Sequence, residues 1–167
     1  MNSFAQTIRP FHERDWPQVC AILRNIIQSG ESYAFDPATR DDEIYDIWIK
    51  TPQETYVVAD HISGEVLGTY YVKPNWPGLG AHVANAGYAV AEFAQGKGLA
   101  SAMCEHSLIR AKELAFKAMQ FNFVVSTNTR AVKLWQRHGF DTIGTLPGAF
   151  QHRKLGLVDV HIMFRKL

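Results

Sequence analysis

The run Gln95-Gly96-Lys97-Gly98-Leu99-Ala100 constrains the fold of this chain more than any other segment. A β-rich stretch, Ala84 to Ala91, precedes it. A helical pattern follows, with Ala100, Cys104, Leu108, Ala111 and Ala115 on one stripe. Glycine lets the backbone approach a ligand closely. The first N–H groups of a helix have no intrahelical partner and sit at the positive end of the helix dipole. Two glycines and a lysine where a strand turns into a helix therefore describe a cradle for a pyrophosphate.

The other elements read around this junction. Thr7 to Phe11 is a first short strand. Asp15 caps a helix with Pro17 in its first turn. Val19, Ile22, Leu23, Ile26 and Ile27 recur at helical spacing until Gly30. Asp41 to Lys50 is a second helix closed by Pro52, and the loop between the two holds Tyr33 and Phe35. Thr55 to Ala59 and Val66 to Val72 form a hairpin about Ser63-Gly64. On Ala118 to Val125, Met119, Phe121, Phe123 and Val125 alternate with Gln120, Asn122 and Val124, which predicts one strongly apolar face. Asn128 to His138 is a short helix stopped by Gly139. Phe140 to Leu146 and Leu157 to Phe164 are the last strands. Strands and helices alternate only in the middle of the chain, so the expectation is an α/β (α+β) fold with a mixed sheet flanked by helices.

Size and charge narrow the partners. At 167 residues the expectation is one domain spanning 1–167. The net charge of +1 provides no broad field for nucleic acid or an anionic membrane. Met1-Asn2-Ser3-Phe4 has no basic start leading into an apolar run, and no window is long and apolar enough to span a bilayer. Cys20 and Cys104 read as buried, reduced thiols, which suits the cytoplasm. The seven histidines are scattered without metal-ligand spacing, so no metal is expected.

These segments together resemble the GNAT superfamily of N-acetyltransferases over nearly the whole chain. Gln95 to Ala100 fits its acetyl-CoA signature: Arg or Gln, two residues, Gly, one residue, then Gly or Ala. Asn128, Ala131, Leu134, Gly139 and Phe140 fit a second signature, an asparagine opening a short helix that ends in Gly-Phe. The resemblance implies a mostly antiparallel, twisted sheet of about seven strands with about four helices. It implies acetyl-CoA as cofactor, with the backbone N–H groups of Gly96, Lys97, Gly98, Leu99 and Ala100 on the pyrophosphate. It also implies that Tyr88, Ala89 and Val90 pair their backbone with the pantetheine arm as an added strand would. Many relatives pair as homodimers.

The transfer itself needs few side chains. A neutral amine attacks a thioester carbonyl held beside it, and proximity supplies much of the rate. A backbone N–H near Tyr88 is the candidate donor to the oxyanion. Glu92, His82 and Asp159 are candidate bases for the amine, with Glu92 where many relatives carry proline. Where many relatives place an acidic tyrosine in the short helix, this chain has Trp135, whose indole has no proton to give near neutral pH. Trp135 is expected to pack the helix and line the cofactor path.

Asn85 and Asn122 lie mid-strand, where asparagine is disfavoured. They read either as structural amides bonded to neighbouring segments or as neutral donors to a substrate carboxylate. A narrower resemblance, carried by Asn85-Ala86-Gly87-Tyr88, by Phe121 to Asn128 and by Thr145 to Phe150, is to a GNAT branch that includes fungal acetyltransferases of azetidine-2-carboxylate and bacterial relatives. In that branch the residues matching Asn85 and Asn122 are linked to substrate and the one matching Asn128 to cofactor. Tyr33 and Phe35 would form the substrate wall. The expected substrate is thus a small amino- or imino-acid-like amine. The alternatives are a phosphinothricin-like compound, a polyamine, a peptide N-terminus, or a non-catalytic acetyl-CoA-binding module.

Overall fold

The computed structural model describes residues 6–167. The N-terminal stretch Met1 to Phe4 considered above lies outside the described residues. Seven strands and four helices follow in the expected order: β1 Gln6–Pro10, α1 Trp16–Ser29, α2 Asp41–Tyr45, β2 Glu54–Asp60, β3 Val66–Pro74, β4 Val83–Val90, α3 Leu99–Glu113, β5 Ala118–Val125, α4 Thr129–Arg137, β6 Asp141–His152 and β7 Gly156–Lys166. They form one sheet in the order β1-β2-β3-β4-β5-β7-β6.

One pair of strands sets the site. Every neighbour pair is antiparallel except β4 and β5. Those two pair only through Val83 with Ala118 and Ala84 with Met119. Beyond that point they diverge, which leaves a wedge in the middle of the sheet. β4, buried at five of its eight positions, walls one side of it, and β3 behind β4 is buried from Val66 to Val72.

Alternate residues of β3 and β4 serve opposite layers. Thr69 accepts a hydrogen bond from Trp48 Nε1 at 3.2 Å, so that face packs under the segment after α2. Tyr70 and Tyr88 are cross-strand partners on the other face, where the Tyr88 hydroxyl meets Ser107 Oγ of α3 at 2.7 Å. Gly87 lies beneath the Tyr71 ring, and a Cβ there would sit 2.6 Å from a ring carbon. Only glycine permits that contact.

Four local expectations need correction. Asp15 stands before α1 but its carboxylate does not cap the helix. It binds Arg9 at 2.7 and 2.8 Å and the His12 N–H at 2.9 Å, because a guanidinium fork outcompetes helix amides for a buried carboxylate. The helix over Asp41–Lys50 is α-helical only to Tyr45 and widens into a π turn over Asp46–Lys50, closed by Thr51 N–H to Asp46 O at 2.9 Å. That turn delivers Trp48 to the core, where it is 1% exposed. On β5 a register shift between Phe121 and Val124 turns Phe123 outward and Val124 inward, so the predicted strict alternation breaks. Ala115 lies beyond the end of α3 at φ 66°, exposed rather than on its buried stripe.

Cys20 and Cys104 are buried and unbridged. Burial pushes their thiols up, to about 11 and about 12 respectively. No helix among the described residues is long and apolar enough to cross a membrane.

Candidate active site

The strand-to-helix turn has the backbone that the glycines were expected to supply. Gly96 and Gly98 both lie in the left-handed region, at φ 77° and 79°, and no atom stands within 4 Å of where a Cβ would project. The Ala102 N–H bonds back to Gly98 O at 3.1 Å. The amides of Leu99 and Ala100 precede that rung and are the orphan donors of a helix start. Gln95, Gly96, Gly98, Leu99 and Ala100 all line one cavity of about 990 Å³. The Lys97 side chain is exposed and outside the lining.

The cavity runs from this turn along the wedge between β4 and β5. Tyr88, Ala89 and Val90 form one wall, and Asn128, Leu134 and Trp135 of the α4 region face them. Trp135 is buried, with its ring 4.8 Å from Tyr88 and 5.0 Å from Phe121, so it packs the helix and borders the cavity as expected. Asn128 lines the cavity too, but its side-chain oxygen accepts the Ala131 N–H at 3.2 Å and thereby caps α4.

At the centre of the wedge, Tyr33 reaches across from the α1–α2 loop to the free edge of β4. Its hydroxyl accepts from the Tyr88 N–H at 3.0 Å and donates to the Tyr88 carbonyl at 2.8 Å. Tyr33 thus does more than form a wall: it pairs with the backbone group named as oxyanion donor. Its ring stacks on Phe35 at 5.6 Å and stands edge-on to Trp48 at 5.9 Å. Burial pushes the Tyr33 hydroxyl far above the ordinary tyrosine range, so it keeps its proton. The Tyr88 phenol points away toward α3, and burial raises it as well.

Asn85 and Asn122 both line the cavity, yet their amides are engaged differently. Asn85 is buried at the apex of the wedge, one residue past the last β4–β5 backbone pair. Its Nδ2 donates to Gln120 O at 2.9 Å, and its Oδ1 accepts from the Tyr71 hydroxyl at 3.3 Å. It acts as a rung that the backbone no longer provides. Asn122 is exposed and held by Asn75 Oδ1 at 2.6 Å and Gln120 Nε2 at 2.9 Å.

None of the candidate bases enters the cavity. Glu92 is exposed on the single turn Glu92–Ala94 after β4. His82 is exposed before β4, and Asp159 is exposed with its carboxylate on the Gly148 N–H at 2.9 Å. The described lining contains no Asp, Glu, His or Lys. Sequence reasoning missed Tyr71, Gln120 and Asn75, whose roles depend on which strands become neighbours. It also missed Arg130 and Arg137, which border the cavity beside the glycine turn. Their i, i+7 spacing on α4 was visible in the sequence. Among the described residues no group of three or more His, Cys, Asp or Glu is placed to hold a metal ion.

The profile of the acetyltransferase (GNAT) family matches residues 15–140, most of the chain and all of the cavity-forming elements up to α4. The chain belongs to the GNAT family. Its structure is similar to that of a GCN5-related N-acetyltransferase from Kribbella flavida, at 44% identity and TM-score 0.93, with 98% of each chain covered. N-acetyltransferase aca1 of Schizosaccharomyces pombe is 28% identical over 151 residues, 81% of this chain and 72% of aca1. A GNAT phosphinothricin acetyltransferase from Sinorhizobium meliloti, solved with AcCoA, shares the fold at 19% identity and TM-score 0.85, covering 97% of this chain and 88% of that one. Within this GNAT framework the wedge, the glycine turn and the α4 helix are the parts that the two sequence signatures mark. The aromatic lid of Tyr33 and Phe35 comes from outside both.

Proposed function

We propose that this GNAT enzyme transfers acetyl from acetyl-CoA directly to a small amino- or imino-acid-like amine. The observation that carries the reading is one continuous cavity. It joins the amide-rich glycine turn, the open edge of β4, and a neutral aromatic pocket made by Tyr33, Phe35 and Tyr71. Bound acetyl-CoA would supply an activated acyl thioester. Gly96 to Ala100 would hold its diphosphate through backbone N–H groups, since both positive-φ glycines leave open space there.

The chain's own groups then do three things. At the edge of β4 the Tyr33 hydroxyl holds the Tyr88 N–H, so this amide serves a developing oxyanion once the hydroxyl gives it up. Apolar walls at Phe121, Leu134 and Trp135 keep water from the thioester. The described lining of the amine pocket carries no carboxylate, so the amine loses its proton to solvent before it reacts. The same absence among the described lining residues disfavours a polyamine, which needs acidic partners. A cytoplasmic setting agrees with two unbridged, buried thiols.

The test is a screen. Folded protein is incubated with acetyl-CoA and a panel of amino acids, cyclic imino acids, phosphinothricin and polyamines, and free thiol is followed. Turnover confined to zwitterionic small amines supports the reading. Thiol release only with polyamines, or none at all despite acetyl-CoA binding, rejects it.

A further inference from the structure

The α4 helix presents Arg130, Lys133 and Arg137 at spacings of three and four residues, which puts them on one face. All three are exposed, and the helix carries no acidic residue. Elsewhere six of the described cations, Arg9, Arg24, Arg40, Lys50, Arg110 and Lys154, each hold a carboxylate. None of the described ion pairs includes Arg130, Lys133 or Arg137.

Two further observations give this face a ligand-facing side. Arg130 and Arg137 line the main cavity next to Gly96, Gly98 and Ser101, and the three cations with Gln136 line an adjoining shallow cavity of about 520 Å³. The cleft is also fixed. Ser101 Oγ in the first turn of α3 bonds His138 Nε2 at the end of α4 at 2.8 Å, and Arg130 Nη1 approaches Gln95 Oε1 at 3.4 Å. The cations therefore stand just outside the glycine turn, beyond the backbone amides that suit a diphosphate.

Resting on the acetyl-CoA reading above, we propose that Arg130, Lys133 and Arg137 form a subsite for the 3′-phosphate of the cofactor's adenosine. Once backbone amides hold the diphosphate, that monoester is the remaining anionic group of the molecule. A phosphate monoester carries close to two charges at neutral pH and offers three acceptor oxygens. Guanidinium forks match such a group bidentately. The subsite makes the protein selective for coenzyme A over 3′-dephospho-coenzyme A.

Calorimetric titration of the whole protein with coenzyme A and with 3′-dephospho-coenzyme A tests this. The wild type is expected to bind coenzyme A about tenfold or more tighter, as charge-assisted hydrogen bonds allow. The triple variant Arg130→Gln, Lys133→Gln, Arg137→Gln is expected to bind both ligands alike, with its affinity for the dephospho form close to wild type. Circular dichroism confirms the fold, which these exposed positions do not support. Equal wild-type affinities overturn the subsite. So does a variant that weakens both ligands to the same degree, since the cations would then serve the diphosphate or a diffuse field. Folded wild type that binds neither ligand overturns the acetyl-CoA reading along with it.

Discussion

The Tyr33 hydroxyl occupies both hydrogen-bonding groups of Tyr88 on the free edge of β4, accepting at 3.0 Å and donating at 2.8 Å. A side chain from the α1–α2 loop thus does for β4 what a neighbouring strand would do. It also ties the stacked Tyr33 and Phe35 rings to the edge of β4.

Replacing Tyr33 by phenylalanine keeps the ring stack with Phe35 and removes only these two bonds. The expected loss of stability is about 1 kcal/mol, because cavity water can take over part of the pairing. The Tyr88 amide is expected to exchange with solvent clearly faster in Tyr33→Phe than in wild type, by hydrogen-exchange NMR. Unchanged protection would mean that another group holds this edge.

The two asparagines separate on stability. Asn85→Ala leaves Gln120 O without its donor at a buried apex and is expected to cost about 1–3 kcal/mol. Asn122→Ala is exposed and is expected to cost about 0.5 kcal/mol or less. Its effect should fall on the amine KM rather than on the acetyl-CoA KM. Denaturant melts and steady-state kinetics on the two variants check both statements.

With no carboxylate or imidazole among the described lining residues, the pH profile of kcat/KM for the amine should rise with unit slope up to the amine's own pKa. No inflection from an enzyme group is expected between about pH 5 and 8, the range where such groups titrate. Glu92→Gln, outside the cavity, should leave the profile in place. An inflection that this variant abolishes would bring Glu92 into the reaction through water.

Asp15 gives the fold a pH dependence. Its hydrogen bonds from Arg9, the largest influence, hold its carboxyl below the usual range despite burial. A depressed carboxylate stabilises the fold above its unfolded value of about 3.9 and loses that contribution as pH falls through the folded value. Asp15→Asn should therefore be less stable by about 2 kcal/mol near neutrality. The gap to wild type should narrow below about pH 4 in thermal melts.

What the sequence made legible was local. The glycine turn, the short helix opened by Asn128 and the helical stripe of α1 each depend on residues a few positions apart, and each stands where expected. Asp15 was misread because its partner, Arg9, lies on another element. Phe123 was misread because the bulge in β5 is set by its pairing with β7. Tyr33 could be named from sequence as a wall, but its bond to Tyr88 spans 55 residues and emerges only when the loop folds over the wedge. That no Asp, Glu, His or Lys is among the described lining residues is also a tertiary fact, since Glu92 lies close to the site in sequence but is exposed outside the cavity.

The central claim is that the glycine turn holds acetyl-CoA, and calorimetric titration of the folded protein with acetyl-CoA tests it most directly. The account predicts saturable binding of one molecule per chain in the wild type. It predicts a loss of about tenfold or more in Gly98→Val, where a β-branched residue meets φ 79° and fills the open cradle. Absence of binding to folded wild type, or equal affinity in a folded Gly98→Val variant, would contradict it.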